Sequence, residues 1–389
     1  MRGLSPAVWA VTVACVFSYM GIGLVDPILP EISQSLHASP GQTELLFTTY
    51  LFVTALVMFL TSWVASRIGR KWTLLLGLGL VVAFSAGCAA AGSVDMVIGF
   101  RGGWGVGNAL FVSTALATVL GASADPRRAI MLYEGALGAG MALGPLVGGL
   151  LGNISWRGPF TGTAVLMGIG LVAIAIFVPR TRPAAGPASL SAPFRALADR
   201  RMRLLMVAAV LYNYGYFTLL AYGPFPIAEA ARRAGTTFTP LDLGLVFFGW
   251  GVLLAAGSVW GAPKLSELVG VRRTIVAGLA ALAVLELVLA LVIVPWVQIV
   301  VVILGGNVIG VLNTAMTELA MSATDLPREV SSSSYSGARF IGGALAPTMT
   351  GVLTAAFGVG GPYLVGAVAL VATILVLVAD RARRRAVSA

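Results

Sequence analysis

The chain has 389 residues, of which 58% are hydrophobic and 10% charged, with a formal net charge of +10 and a mean hydropathy of +0.94. Soluble domains carry about 25% charged residues, so a soluble globular or disordered chain is excluded. The apolar runs lack the period-2 alternation of an outer-membrane barrel, which leaves an all-α polytopic membrane protein.

Twelve spans are expected, over residues 7–30, 43–65, 73–92, 96–121, 129–151, 159–179, 203–226, 241–263, 273–294, 296–321, 330–356 and 361–379. With the N-terminus in the cytoplasm, the inner loops hold Arg67, Arg70, Lys71, Arg127, Arg128, the basic linker 180–202, Lys264, Arg272, Arg273, Arg328 and the tail from Arg381 to Arg385. The outer side keeps Arg157, Arg232 and Arg233. This is the positive-inside bias, and it points to a bacterial cytoplasmic (inner) membrane protein with both termini cytoplasmic. The surplus charge is therefore read as a membrane signal, with lipid rather than nucleic acid as its partner. Cys15 and Cys88 fall inside spans and His37 is the only histidine, so no metal site or disulfide is expected. The first span is too long for a signal-peptide core and lacks a small-residue cleavage site.

Span one ends "GIGLVDPILPEI". Asp26 precedes Pro27, which biases its backbone away from helix. Span four reads "IGFRGGWGVGNAL", with Arg101, Trp104 and Asn108 at i, i+3 and i+7 on one face and Gly103 and Gly107 on another. Asp26 and Arg101 both lie within about 10 Å of the outer interface. Two readings stand side by side: a pair across a cavity, or two interfacial side chains at helix ends.

Span five carries Glu134 and then "GMALGPLVGG", residues 140–149. Its small residues at four-residue spacing admit a close neighbour, and Pro145 removes a backbone donor and bends the helix. The linker 180–202, "PRTRPAAGPASLSAPFRALADRR", separates a six-helix bundle at 1–179 from a second bundle with a basic tail at 203–389. The halves echo each other. "GMALGPLVGG" is matched by "GGALAPTMTG" at 342–351, "SRIGRK" at 66–71 by "ELVGVRR" at 267–273, and "DPILP" by "GPFP" at 223–226. Duplicated bundles around a central site are a transporter architecture.

Span seven, "LYNYGYFTLLAYGPFP", sets Tyr212 and Tyr216 at i, i+4 with Asn213 and Phe217 one step round. That wall suits flat amphipathic ligands or ordinary helix packing. Span nine holds Glu286, read here only as buried against another helix. Span ten aligns Asn307, Thr314 and Glu318 on one face. Span eleven places Arg339 about 14 Å deep, with Glu134 and Glu318 as candidate counter-charges. No phosphate-binding loop, nucleophile elbow or metal-ligand cluster occurs, so no enzyme activity and no cofactor are expected.

These residues together resemble the major facilitator superfamily, specifically its twelve-span drug–proton antiporters of the multidrug efflux type, over nearly the whole chain. Gly140, Gly144, Pro145, Gly148 and Gly149 are similar to the family's antiporter motif, which implies a bent helix that packs against the other half and moves in alternating access. Trp156, Arg157 and Phe160 fit the family's outer loop, and Pro27, Pro30 and Ile32 its span-one ending. Arg101, Gly105 and Gly107 resemble the span-four motif linked to proton transfer, with Trp104 where glutamine is usual. Arg67, Gly69, Arg70 and Lys71 resemble the cytoplasmic latch. There Ser62 replaces a glycine and Ser66 an acidic residue, so Asp125 with Arg128 is expected to carry part of it.

The resemblance implies the major facilitator fold, two pseudo-symmetric six-helix bundles, in a monomer that exports amphipathic small molecules in exchange for protons. Asp26, Arg101 and Glu134 form the expected proton-coupling set, with Arg101 stabilising a nearby carboxylate anion when close. Trp104, Asn108, Tyr212, Asn213, Tyr216, Phe217, Asn307, Thr314, Glu318 and Arg339 form the expected substrate cavity. A dedicated exporter of one lipid or metabolite, and a passive facilitator, are the rival readings.

The charge bias makes a direct prediction. A cysteine replacing Ser189 reacts with an impermeant thiol reagent only from the cytoplasmic side, and one replacing Thr236 only from outside. Reversed labelling in intact cells overturns the orientation.

Overall fold

The structure is a computed structural model that describes residues 5–24, 32, 35–38, 40–123, 125–180, 189, 191, 196–236 and 239–388. Asp26, Pro27, Pro30 and most of the linker lie outside the described residues. Among them, twelve helices are long and apolar enough to cross a membrane. They are α1 (Pro6–Gly23), α2 (Pro40–Ile68), α3 (Arg70–Ala90), α4 (Val94–Ala122), α5 (Pro126–Gly152), α6 (Gly158–Phe177), α7 (Arg200–Phe217), α8 (Pro240–Ala256), α9 (Val271–Leu291), α10 (Pro295–Ser322), α11 (Arg328–Phe357) and α12 (Gly361–Ser388). The face holding both chain ends is called inner below.

Local chemistry starts these helices where the sequence changes character. Asp125 accepts from the backbone N–H of Arg127 at 3.0 Å and of Arg128 at 3.3 Å, and Pro126 opens α5 with a φ already suited to helix. Asp199 caps α7 in the same way. Thr239 and Asp242 form a reciprocal capping box ahead of α8, again with proline at the first turn. Between α2 and α3, Gly69 has φ 85°, and its counterpart Gly270, ahead of α9, has φ 86°. Both turns need the left-handed region that glycine enters without a Cβ clash. The paired "IGR" and "VGV" stretches are thus one turn used twice.

Two helices lose the α repeat without ending. α7 continues as a π segment, Thr218–Tyr222, and α8 as a π segment, Gly257–Gly261, before a final helical stretch, Ala262–Val269. Nothing in the apolar pattern announces either one. A short amphipathic helix, Pro224–Arg233, follows α7 on the outer side. There Arg233 and Arg232 both hydrogen-bond Glu229, which holds its carboxyl below the usual range.

Packing repeats between the halves. α1 lies against α5 and α6, α2 against α4, and α3 against α4 and α6. In the second half α7 lies against α11 and α12, α8 against α10, and α9 against α10 and α12. The two six-helix bundles meet where α5 packs on α8 and α11 on α2. α1, α4, α7 and α10 are the most enclosed, so the polar residues they carry face protein rather than lipid.

The proline-containing helices show which faces the small residues serve. A side chain on Gly140 would run into Val16 O, and one on Gly144 would meet Met20 O at 2.8 Å. Both contacts are with α1, inside the same bundle. Gly342 of α11 meets Val210 O of α7 in the equivalent place. Gly148 faces Leu24, and Gly149 has open space. The contact with the other bundle is made instead by Gly138, against Ala255 of α8 at 2.6 Å from a built Cβ, and by Ala142 against Gly251. The glycine-rich helix does pack against the other half, as the resemblance implied, but through Gly138 and Ala142 rather than through the motif glycines. The i, i+4 row belongs to α1, and a neighbouring row, about 100–200° round the helix, belongs to α8.

The two rows respond differently to overpacking, which costs about 1–3 kcal/mol per site. Gly140→Val lowers the thermal midpoint by loosening α1 from α5. Gly138→Val leaves the bundle intact but separates α5 from α8, and raises inner-side labelling of a cysteine placed at Ser332. Equal thermal losses in both variants, with unchanged labelling, refute the division.

Candidate functional site: the interface between the bundles

A buried ion pair joins the bundles well inside α5 and α11. Glu134 of α5 and Arg339 of α11 are both buried. Arg339 Nη1 donates to Glu134 Oε1 at 2.7 Å and Nη2 to Oε2 at 3.4 Å, an approach to fork-on-fork geometry. Thr317 of α10 donates to the same Oε1 at 2.8 Å. Tyr335, one turn before Arg339, places its ring 5.9 Å from the guanidinium. Next to the pair, the hydroxyls of Tyr19 and Tyr133 are 2.6 Å apart, and Tyr133 also reaches Val112 O at 3.4 Å. Each bundle contributes one charge, and removing either leaves the other buried and uncompensated.

On the outer side of this pair lies a cavity of about 20 Å³, lined from the first bundle by Tyr19, Ile22, Tyr133 and Met141, and from the second by Asn213, Tyr216, Phe217, Arg339 and Phe340. Its volume suits about one water molecule, whereas sites for small organic ligands run to about 300–1,000 Å³. The centre is closed in this conformation.

The closure is reinforced toward the inner face. Arg70 and Glu329 form an ion pair, with Arg70 Nε donating at 2.8 Å. Arg127 pairs with Glu318 at 2.8 Å. Arg328 donates to Leu120 O at 2.8 Å, and Ser332 to Ser113 O at 2.7 Å. Every one of these contacts crosses from one bundle to the other. The latch expected from Asp125 and Arg128 is thus corrected, because Asp125 is committed to capping α5 and the carboxylates come from α10 and α11. Ser66 only returns a hydrogen bond to Trp63 O. Arg67 stacks on Trp63, and Lys71 donates to Ala175 O, so neither bridges the halves in these contacts.

Of the expected cavity residues, Asn213, Tyr216, Phe217 and Arg339 line it. Tyr212 sits one turn away, donating to Asn313 Oδ1 at 2.8 Å and stacked on Tyr216. Trp104 packs inside the first bundle between Tyr50 and Phe160, and Asn108 accepts from Ser18 at 2.8 Å. Thr314 donates to Ser258 O at 3.3 Å, and Asn307 opens onto an apolar groove between α8, α9 and α10. Glu318 is taken by Arg127 and is not the partner of Arg339. Those five belong to helix packing or the latch. Arg101 is buried between the rings of Tyr50 and Trp104, 5.1 and 5.4 Å from their centroids, and donates to Leu46 O. Its expected partner Asp26 lies outside the described residues.

Sequence reasoning missed Tyr19, Tyr133, Thr317 and Glu329. Tyr133 and Thr317 each adjoin a residue that was singled out, Glu134 and Glu318, and Glu329 adjoins Arg328 at the start of α11. A search for hydroxyls within one helical step of charges inside the spans finds Tyr133 and Thr317.

Residues 11–325 match the family profile of the Major Facilitator Superfamily. The Multidrug efflux protein YfmO of Bacillus subtilis (strain 168) is 44% identical over 381 residues, covering 96% of this chain and 93% of that protein. The Tetracenomycin C resistance and export protein of Streptomyces glaucescens is 26% identical over 260 residues, covering 62% of this chain and 48% of its own length. The crystal structure of the human organic anion transporter MFSD10 (TETRAN) superposes with a TM-score of 0.80 over 96% of this chain and 99% of that one, at 16% identity, a likeness of fold. With twelve spans, two packed bundles and a profile match over most of its length, the chain belongs to the major facilitator superfamily of membrane transporters.

Proposed function

We propose that the protein exports amphipathic small molecules across a bacterial cytoplasmic membrane in exchange for protons. The observation that carries this reading is the Glu134–Arg339 pair, a charge bridge between the bundles that borders the central cavity. The relatives named for multidrug efflux and for tetracenomycin C resistance and export support the substrate class. The aromatic side chains of Tyr216 and Phe217, with Asn213 beside them, offer one flat apolar face and one polar group.

In this reading a proton arriving from the outer face neutralises Glu134. Arg339 then loses its anionic partner, the two bundles lose their central tie, and the inner latches at Arg70–Glu329 and Arg127–Glu318 open. Substrate enters from the cytoplasmic side, the proton leaves there, and re-forming the pair closes that side again. Proton and substrate thus alternate. The moving bodies are residues 1–179 and 203–389, joined by the linker 180–202, with both termini cytoplasmic. Asp26 and Arg101 are assigned to the same proton path at the outer end of the first bundle.

The test is transport of a fluorescent amphipathic dye in proteoliposomes. An imposed pH gradient should drive accumulation against the dye gradient; equilibration alone identifies a facilitator. Glu134→Gln is expected to cut gradient-driven accumulation at least tenfold while leaving downhill exchange. Full activity in that variant moves the proton site to Asp26, where Asp26→Asn should then abolish the driven component.

Stability gives a second check on the pair. Arg339→Ala leaves a buried carboxylate alone and should destabilise the closed state by about 3–5 kcal/mol. Adding Glu134→Gln to it should restore most of that loss, and an additive result removes the coupling.

A further inference from the structure

Glu286 takes no part in the interface pair, the cavity or the latches. It lies on α9, fully buried, and neither oxygen of its carboxyl has a hydrogen-bond partner among the described residues. Its space is provided by Gly366 of α12, where an added methyl would overlap Glu286 Oε2. The carboxyl is therefore seated in a notch between two helices rather than stranded in a loose region.

No positive charge lies near it among the described residues. The stretches 204–222, 274–291, 295–317 and 361–379, which supply α7, α9, α10 and α12 at this depth, contain no lysine, arginine or histidine. The titratable groups within electrostatic reach are Tyr214 of α7 and Tyr363 of α12, with Tyr222 behind Tyr363. The polar group that α10 offers toward this end is the neutral amide of Gln298, which donates to Leu289 O and Val292 O at 2.8 Å each. Lys264, Glu267, Arg272 and Arg273 sit at the inner end of α8 and α9, about 20 Å away along the helix. A cation would need several oxygens around it. Glu286 is a single carboxylate, and no group of three or more His, Cys, Asp or Glu side chains forms among the described residues. Burying a lone carboxylate in such surroundings is costly unless the group is paired or takes up a proton.

Tyr363 is within electrostatic reach of Glu286, and Tyr222 packs on Tyr363 toward the outer face. The π segment Thr218–Tyr222 ends with Tyr222, whose hydroxyl donates to Val359 O at 2.9 Å in the outer turn ahead of α12 and accepts from Thr354 at 3.2 Å. The Tyr222 and Tyr363 rings meet edge to face at 5.4 Å, and the Tyr363 hydroxyl is buried with no partner among the described residues. Tyr363 and Gly366 are three residues apart on α12 and so share a face. π segments recur at functional positions because they re-aim side chains.

We propose that Glu286 is a proton-binding site inside the second bundle, separate from the interface pair and loaded from the outer face past Tyr222 and Tyr363.

The experiment is infrared difference spectroscopy on the full chain, reconstituted in one orientation in lipid vesicles without substrate, with the outer pH stepped. Because no transport is measured, the result is independent of whether the protein is an antiporter. A protonated-carboxyl C=O band should be present at neutral pH, follow outer pH, and be lost in Glu286→Gln. Glu286→Leu provides the same loss if the glutamine variant does not fold. Tyr363→Phe should keep the band but slow its response at least tenfold. A band that persists in both Glu286 variants overturns the site. One that follows inner pH, or responds at full speed in Tyr363→Phe, overturns the route.

Discussion

The closed conformation depends on one charge from each bundle meeting in the low-dielectric interior of the protein. Glu134 and Arg339 are too deep to be solvated, so each is tolerable only while the other is present. That makes the pair a poor source of net stability and a good source of geometry. It fixes the relative position of α5 and α11, the two helices that contain an internal proline. Thr317 satisfies part of the remaining acceptor capacity of Glu134 and ties α10 into the same point. The hydroxyl pair of Tyr19 and Tyr133 brings α1 alongside.

Around that point the two bundles use the same packing device and differ in chemistry. α5 rests on α1 through Gly140, and α11 rests on α7 through Gly342, each with glycine against a carbonyl. The contacts between bundles are of another kind. On one side α5 meets α8 through small residues, Gly138 against Ala255 and Ala142 against Gly251. Toward the inner face they become ionic, with Arg70 and Arg127 from the first bundle meeting Glu329 and Glu318 from the second. These inner-face ion pairs are partly exposed, so each contributes little alone and together they form a breakable seal. The two bundles are thus joined by a tight apolar seam on one side and by partly exposed ion pairs toward the inner face.

Sequence periodicity places residues on helix faces and along helices. Arg339, expected well inside span eleven, is buried in the structure. The repeated glycine turns at Gly69 and Gly270 and the paired prolines at Pro145 and Pro347 were visible as matched strings. Partners were not visible. Thr317 and Glu318 are one step apart, a rotation of about 100° about the helix axis. That step sends Thr317 to Glu134 and Glu318 to Arg127. A line of Asn307, Thr314 and Glu318 on one face says nothing of which neighbour the face meets, and α8 and α5 divide it between them.

The amino-acid sequence by itself determined that this chain crosses a membrane twelve times in two related halves, because hydropathy, charge bias and turn chemistry act locally and survive without knowledge of neighbours. The tertiary structure decided which charges pair, which face of the glycine-rich helix meets its own bundle, and that Glu286 sits in a notch cut by Gly366. Those outcomes depend on the rotation and separation of helices distant in the chain, quantities that packing sets collectively and no short stretch of residues encodes.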